Sequence, residues 1–199
     1  MMDLNVILFD DFETLDVFGP VEVIGKLEKY FSVQFFSQEG GLVRSSQNVL
    51  VDTRPVTEIK NRDVLLLPGG TGTRKEAKNE AFLKILTNLA EESKFVLTVC
   101  TGSGLLATTG VLKGKRATSN KIAFDWAAGQ DSDVQWIRKA RWVQDGKFYT
   151  SSGVSAGMDM ALGFVAVLMG TEVAERVAAG IEYIWNRDKD FDPFCQSMD

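Results

Sequence analysis

The chain has 199 residues, 45% of them hydrophobic and 25% charged, with a formal net charge of −5. That length suits one domain, expected over residues 1–199, with a core large enough to need no disulfide or metal. The acidic balance, with no Lys/Arg run, excludes the footprint of a nucleic-acid binder, and the complete absence of histidine excludes a Ser-His-Asp triad, a Cys-His dyad and every His metal site.

In chain order, "NVILF" (5–9) reads as a buried strand. "DDFETLDVFGPVEVIGKLEKY" places acidic residues before an apolar series, which predicts a helix from about Thr14 with Pro20 kinking or restarting it. "FSVQFFS" alternates as a strand, and "GGLVRSSQNVLVDTRPV" reads as loop, strand and loop. "RDVLLLPGGTGT" is a buried strand ending in a Pro-Gly-Gly turn, and the stripe Phe82, Ile85, Leu86 and Leu89 predicts a helix. "FVLTV" is a further buried strand, followed by a helix opening in "CTGSGLLATTG" and stopped by Gly110.

"KRATS" and "DVQW" read as short strands, and "ARWVQDGKFYTSSG" as a hairpin turning at Asp145-Gly146. "SAGMDMALGFVAVLMG" predicts a long apolar helix packed on both sides, with a last helix in "TEVAERVAAGIEYIW". Unbroken apolar strands alternating with helices predict an α/β fold, a mostly parallel sheet covered on both faces. No apolar run approaches the ~20 residues of a membrane helix, so no membrane partner is expected. No signal peptide is read in "MMDLNVILFDDF", and the two cysteines, Cys100 and Cys195, have no metal or redox spacing. A reducing cytoplasm is therefore the expected compartment.

In such a sheet, ligands bind beyond the carboxyl ends of the strands. Three stretches are expected at that edge: "DDFETLD", "PGGTGT" and "CTGSG". Thr98 and Gly102, small residues two positions either side of Cys100, would let the strand turn abruptly into a helix, the form of a nucleophile elbow. A helix N-terminus beside the sulfur would favour thiolate and lower the thiol pKa. By position alone an inert core cysteine is an equally good reading.

"PGGTGT" fits neither a Walker loop nor GxGxxG and is by spacing a turn. The sharper reading gives the backbone N–H of Gly69 or Gly70 to a developing negative charge, with Thr101 N–H as second donor. Asp10, Asp11 and Glu13 read as ordinary partners of a helix start. Asp16, inside the apolar run "LDVFGP", is expected to be buried with a raised pKa and, facing a thiol, to hold a proton and deliver it.

Together, "ILFDDFETLDVFGPVEV", "DVLLLPGGTGT", "VCTGSGLLATTGVLKGKRAT" and "GKFYTSSGVSAGMDMAL" resemble the DJ-1/PfpI superfamily over nearly the whole chain. Within it they look most like the isonitrile hydratase subgroup, which pairs the elbow cysteine with threonine, as in Cys100-Thr101, and uses aspartate at the position of Asp16. The resemblance implies a flavodoxin-like three-layer sandwich and a homodimer, with Cys100 as nucleophile and Asp16 as proton donor. The Gly70 and Thr101 amides would line the pocket, and Val154 would pack near the helix carrying Cys100. It implies no cofactor and no metal. The reaction implied is attack of Cys100 on the terminal carbon of a small isonitrile, giving a thioimidate that water resolves to an N-substituted formamide.

Two features depart from the pattern. Relatives commonly carry a histidine after "KRATT", where Asn120 stands here, so Asn120 is the substrate-facing residue at that position. The tail "IWNRDKDFDPFCQSMD" also differs, and Cys195 in it has no matched role. A different class of function stays open: a redox-responsive or regulatory binding module without turnover, which a low-pKa exposed thiol would suit. A transcription regulator would need a helix-turn-helix domain, for which no extension is long enough.

Overall fold

The structure is a computed structural model, and it describes residues 1–196. Its centre is an eight-stranded sheet. β1 (Met2–Ile7) pairs in parallel with β2 (Phe31–Ser37) on one side and β5 (Val64–Leu67) on the other. β5 pairs in parallel with β6 (Phe95–Thr98), and β6 with β10 (Phe148–Ser151). Every residue of β5 and β10 is buried. A strand buried on both faces needs cover on both, hence its unbroken apolar or small side chains.

The edges of the sheet are antiparallel. β9 (Trp142–Asp145) turns at Asp145-Gly146 into β10, as the sequence predicts. At the far edge, the stretch read as loop, strand and loop is instead a hairpin of β3 (Gly41–Arg44) and β4 (Leu50–Pro55). Only Val43 of β3 is buried, so the strand carried no two-residue apolar period to detect. β7 (Arg116–Ala117) and β8 (Gln135–Trp136) form a separate two-stranded ladder.

The helices divide into groups. α1 (Thr14–Gly25) packs on α6 (Ala156–Met169), and α6 on α7 (Thr171–Gly180). α1 runs through Pro20 without a break, although Pro20 offers no N–H to the Asp16 carbonyl. α6 buries both flanks from Ala156 to Val165, except for half-buried Met158. α3 (Glu80–Glu92) is capped by Asn79, whose side chain accepts from Phe82 N–H, and it buries Phe82, Leu86 and Leu89. The short α4 (Gly102–Ala107) packs against α2 (Thr73–Glu76) and α5 (Phe124–Ala128). This is a flavodoxin-like α/β sandwich. No helix among the described residues is long and apolar enough to cross a membrane.

A buried ion pair, Arg141 Nε to Asp159 Oδ2 at 2.6 Å, joins the residue before β9 to α6 and anchors the tail. Asp159 also accepts from Asn186 N–H and Tyr183 O–H.

Candidate active site

β1, β5 and β6 are parallel neighbours, so their carboxyl ends deliver three loops to one edge. Cys100 lies two residues past the end of β6 with φ +57°. Such a backbone costs a non-glycine residue of order 1–3 kcal/mol, held only by surrounding contacts. Those contacts are present. Ser119 Oγ and Ser103 Oγ both donate to the Cys100 carbonyl, at 2.8 and 3.0 Å. Gly102 lies so close to the loop after β5 that a Cβ there would sit 2.6 Å from the Leu67 carbonyl oxygen. The expected elbow is formed.

Asp16, on the first turn of α1, has no solvent exposure. Its Oδ2 accepts from Gly69 N–H at 2.9 Å, and its Oδ1 has no hydrogen-bond partner among the described residues. Gly69 is wedged between the other two loops. A Cβ there would stand 2.6 Å from Thr101 N and 2.9 Å from Asp16 Oδ2, so only glycine lets α1, the β5 loop and the elbow converge. Gly70 has φ +122°, and its N–H donates to Thr101 Oγ1 at 3.1 Å. The Gly69 and Gly70 amides thus hold Asp16 and Thr101 in place, and neither stands free for a substrate anion.

Burial pushes the Asp16 carboxyl well above its ordinary range, against the opposing pull of Gly69 N–H, with Glu13 adding to the rise. Burial also pushes the Cys100 thiol up, and the nearby Asp16 charge adds to it, while the Thr101 amide and hydroxyl pull the other way. This corrects the expectation of a lowered thiol pKa. α4 has only six residues, and its N-terminal field is outweighed by desolvation and by the adjacent carboxyl. The two acids lie together in a buried site, where the Asp16 charge pushes the Cys100 thiol up while Cys100 in turn draws the Asp16 carboxyl down.

The other expected residues are near but less engaged. Asn120 follows Ser119, its Oδ1 accepts from Ala123 N–H at 3.0 Å, and its amide nitrogen lies beside Gly153. Val154 lines a cleft of about 200 Å³ with Leu15, Arg141, Asp192 and Phe194. Three residues on, Gly157 at the start of α6 packs against Val99, the neighbour of Cys100. Asp10 binds Arg44 N–H through Oδ1, and Glu13 Oε2 accepts from Gln47. No group of three His, Cys, Asp or Glu among the described residues could hold a metal.

Sequence reading missed Thr73, Arg74 and Trp126. Thr73 Oγ1 reaches Thr101 Oγ1 at 3.2 Å. Arg74 Nη1 donates to the Gly70 carbonyl and to Thr73 Oγ1, and its guanidinium lies 4.1 Å from the Trp126 ring centre. In sequence these are a turn threonine, one basic residue in "TRKEAK" and one aromatic in a short helix, none with a motif around it.

A parallel α/β sandwich with a strained cysteine at the end of a central strand, faced by a buried carboxyl, defines a class of cysteine-elbow protein. Residues 2–167 match the DJ-1/PfpI family, and the chain belongs to it. An isonitrile hydratase of Pseudomonas putida is 30% identical over 92% of this chain and 78% of its own length. A deglycase of Thermococcus kodakarensis is 28% identical over 75% of this chain and 89% of its own. Among solved structures, a ThiJ/PfpI family protein from Pseudomonas syringae superposes with a TM-score of 0.83 at 28% identity, covering 96% of this chain and 76% of that one. The family includes enzymes.

Proposed function

We propose that the protein is a cysteine-dependent hydratase of a small molecule, converting an isonitrile to an N-substituted formamide. The observation that carries this reading is the buried Asp16 carboxyl beside Cys100, with Oδ1 unpartnered, in a chain without histidine. A carboxyl whose pKa burial raises is a stronger base than a free one, so it takes a thiol proton more readily and can return it.

In the first step the Cys100 thiol proton passes to Asp16 and the sulfur bonds to the terminal carbon of the isonitrile. Asp16 then returns the proton to that carbon, giving a thioimidate. Water adds its oxygen to the same carbon and one proton to the nitrogen, the C–S bond breaks, the second water proton restores the thiol, and the formamide leaves. The Gly69 N–H holds Oδ2 and Oδ1 has no hydrogen-bond partner among the described residues, so the carboxyl keeps acceptor capacity for the proton. Thr101 N–H and its hydroxyl favour the negative sulfur, steadying it during attack. The relative named isonitrile hydratase supports the substrate class.

The sensor alternative needs an exposed thiol of low pKa. Cys100 is only 6% exposed, which counts against that reading. The test is a screen of small isonitriles and α-oxoaldehydes, comparing wild type with Cys100→Ser. Formamide production by wild type, lost in Cys100→Ser, is the expected result. No turnover of any isonitrile, or full turnover by Cys100→Ser, overturns the proposal.

A further inference from the structure

Arg74 stands beside the nucleophile as a cation without an anion. None of the ion pairs among the described residues includes it. Its Nη1 is held by the Gly70 carbonyl at 3.2 Å and by Thr73 Oγ1 at 2.9 Å. Its face lies on Trp126, 4.1 Å from the ring centre. Trp126 is fixed in turn, because its ring packs against Gly104 of α4. The guanidinium is half-buried and held in one orientation, while Nε and Nη2 have no partner among the described residues. Those two nitrogens form the edge of the fork that takes a planar carboxylate in two parallel hydrogen bonds.

The position matters as much as the free edge. Thr73 Oγ1 bonds both Arg74 and Thr101 Oγ1, so Arg74 is two hydrogen bonds from the residue that follows Cys100. Asp16 and Glu13 both disfavour negative charge at Cys100. An anionic substrate is thus repelled by these carboxyls and received by Arg74. We propose that Arg74 is a specificity-determining residue: its guanidinium, laid on Trp126 and tied to Gly70 and Thr73, takes the carboxylate of a small substrate whose electrophilic carbon meets Cys100. This rests on the reading of Cys100 as the nucleophile, and it narrows the substrate class from isonitriles in general to those carrying a carboxylate.

Two alkylating reagents of nearly the same size test it in the full-length protein. Iodoacetate carries a carboxylate and iodoacetamide does not. In both, the Cys100 sulfur displaces iodide and keeps the CH₂ group. The readout is the ratio of Cys100 labelling rates, iodoacetate over iodoacetamide, at pH 8.5, with the adduct mapped by mass spectrometry. The ratio should fall about tenfold in Arg74→Gln, and Arg74→Lys should recover part of it, since charge is kept and the fork is lost. Acetate added to wild type should lower the same ratio, with chloride at equal ionic strength as the control, so the test does not depend on a variant folding. An unchanged ratio in Arg74→Gln, or no effect of acetate, overturns the proposal. A folded protein whose Cys100 is labelled by neither reagent overturns both this and the nucleophile reading. A hydratase reading that fails alone shows as an intact ratio with no isonitrile turnover.

Discussion

Asp16 and Cys100 are each costly residues where they stand, one a carboxyl with no solvent exposure and the other a cysteine at φ +57°. Neither is explained by packing, since an apolar residue would fill the place of Asp16 without the desolvation penalty. Asp16→Asn should lower turnover of an accepted isonitrile by roughly 10²–10⁴-fold, the usual size of general acid–base catalysis. The same substitution has a signature in stability. Burial raises the folded-state pKa of Asp16 above its ordinary 3.8, so the folded chain holds a proton that the unfolded chain releases. That stabilisation is fully present below the ordinary pKa and is lost as pH rises through the folded-state value. A plot of Tm against pH from 4 to 7 should therefore decline less steeply in Asp16→Asn than in wild type. Full turnover in the variant, with parallel Tm profiles, would refute the role assigned to Asp16.

The elements meet at glycines. Gly163, in the middle of α6, faces the ring of Trp142 on β9, and a Cβ there would lie 2.4 Å from the nearest ring carbon. The ring cannot retreat easily: it stacks on Tyr149, which meets Phe164 edge-on. Helix propensity alone would make Gly163→Ala stabilising by roughly 1 kcal/mol. Overpacking at a closed contact costs about 1–3 kcal/mol, and here it outweighs propensity. Chemical denaturation should show Gly163→Ala less stable than wild type, and a more stable variant would mean that α6 and β9 are not packed this closely. α1 shows the same dependence on neighbours, because Pro20 survives mid-helix where its ring packs beside Gly157 of α6.

At the scale of the whole molecule, one surface bears on assembly. The turn after α1 and the α6–α7 junction leave a cleft of about 310 Å³ lined by Lys26, Leu27, Tyr30, Met169, Val173 and Val177. Met1 is 83% and Tyr30 54% exposed beside it. Surface of this kind is available to a second copy, and on that basis a homodimer is predicted. A stable pair should bury on the order of 1,200–2,000 Å² in total. Sedimentation velocity at micromolar concentration is expected to show a species of twice the 22.0 kDa chain mass. A monomer at that concentration would count against it.

The sequence by itself determined the central parallel strands and which loops meet at their carboxyl edge. Strands such as "VLLL" need cover on both faces whatever surrounds them, and a cysteine after "FVLTV" with small neighbours can only be an abrupt turn. It also determined that any nucleophile must work without histidine, and the buried Asp16 was legible because a carboxyl inside an apolar run has nowhere polar to point. Tertiary structure alone decided the direction in which the two acids of the site are pushed. Whether a helix start lowers a thiol pKa depends on how much water and how much opposing charge lie around the sulfur, and both are set by α1 and the loop after β5. It also decided what Arg74 does, since a lone basic residue in a turn gains meaning only from Trp126, 52 positions away, beneath it.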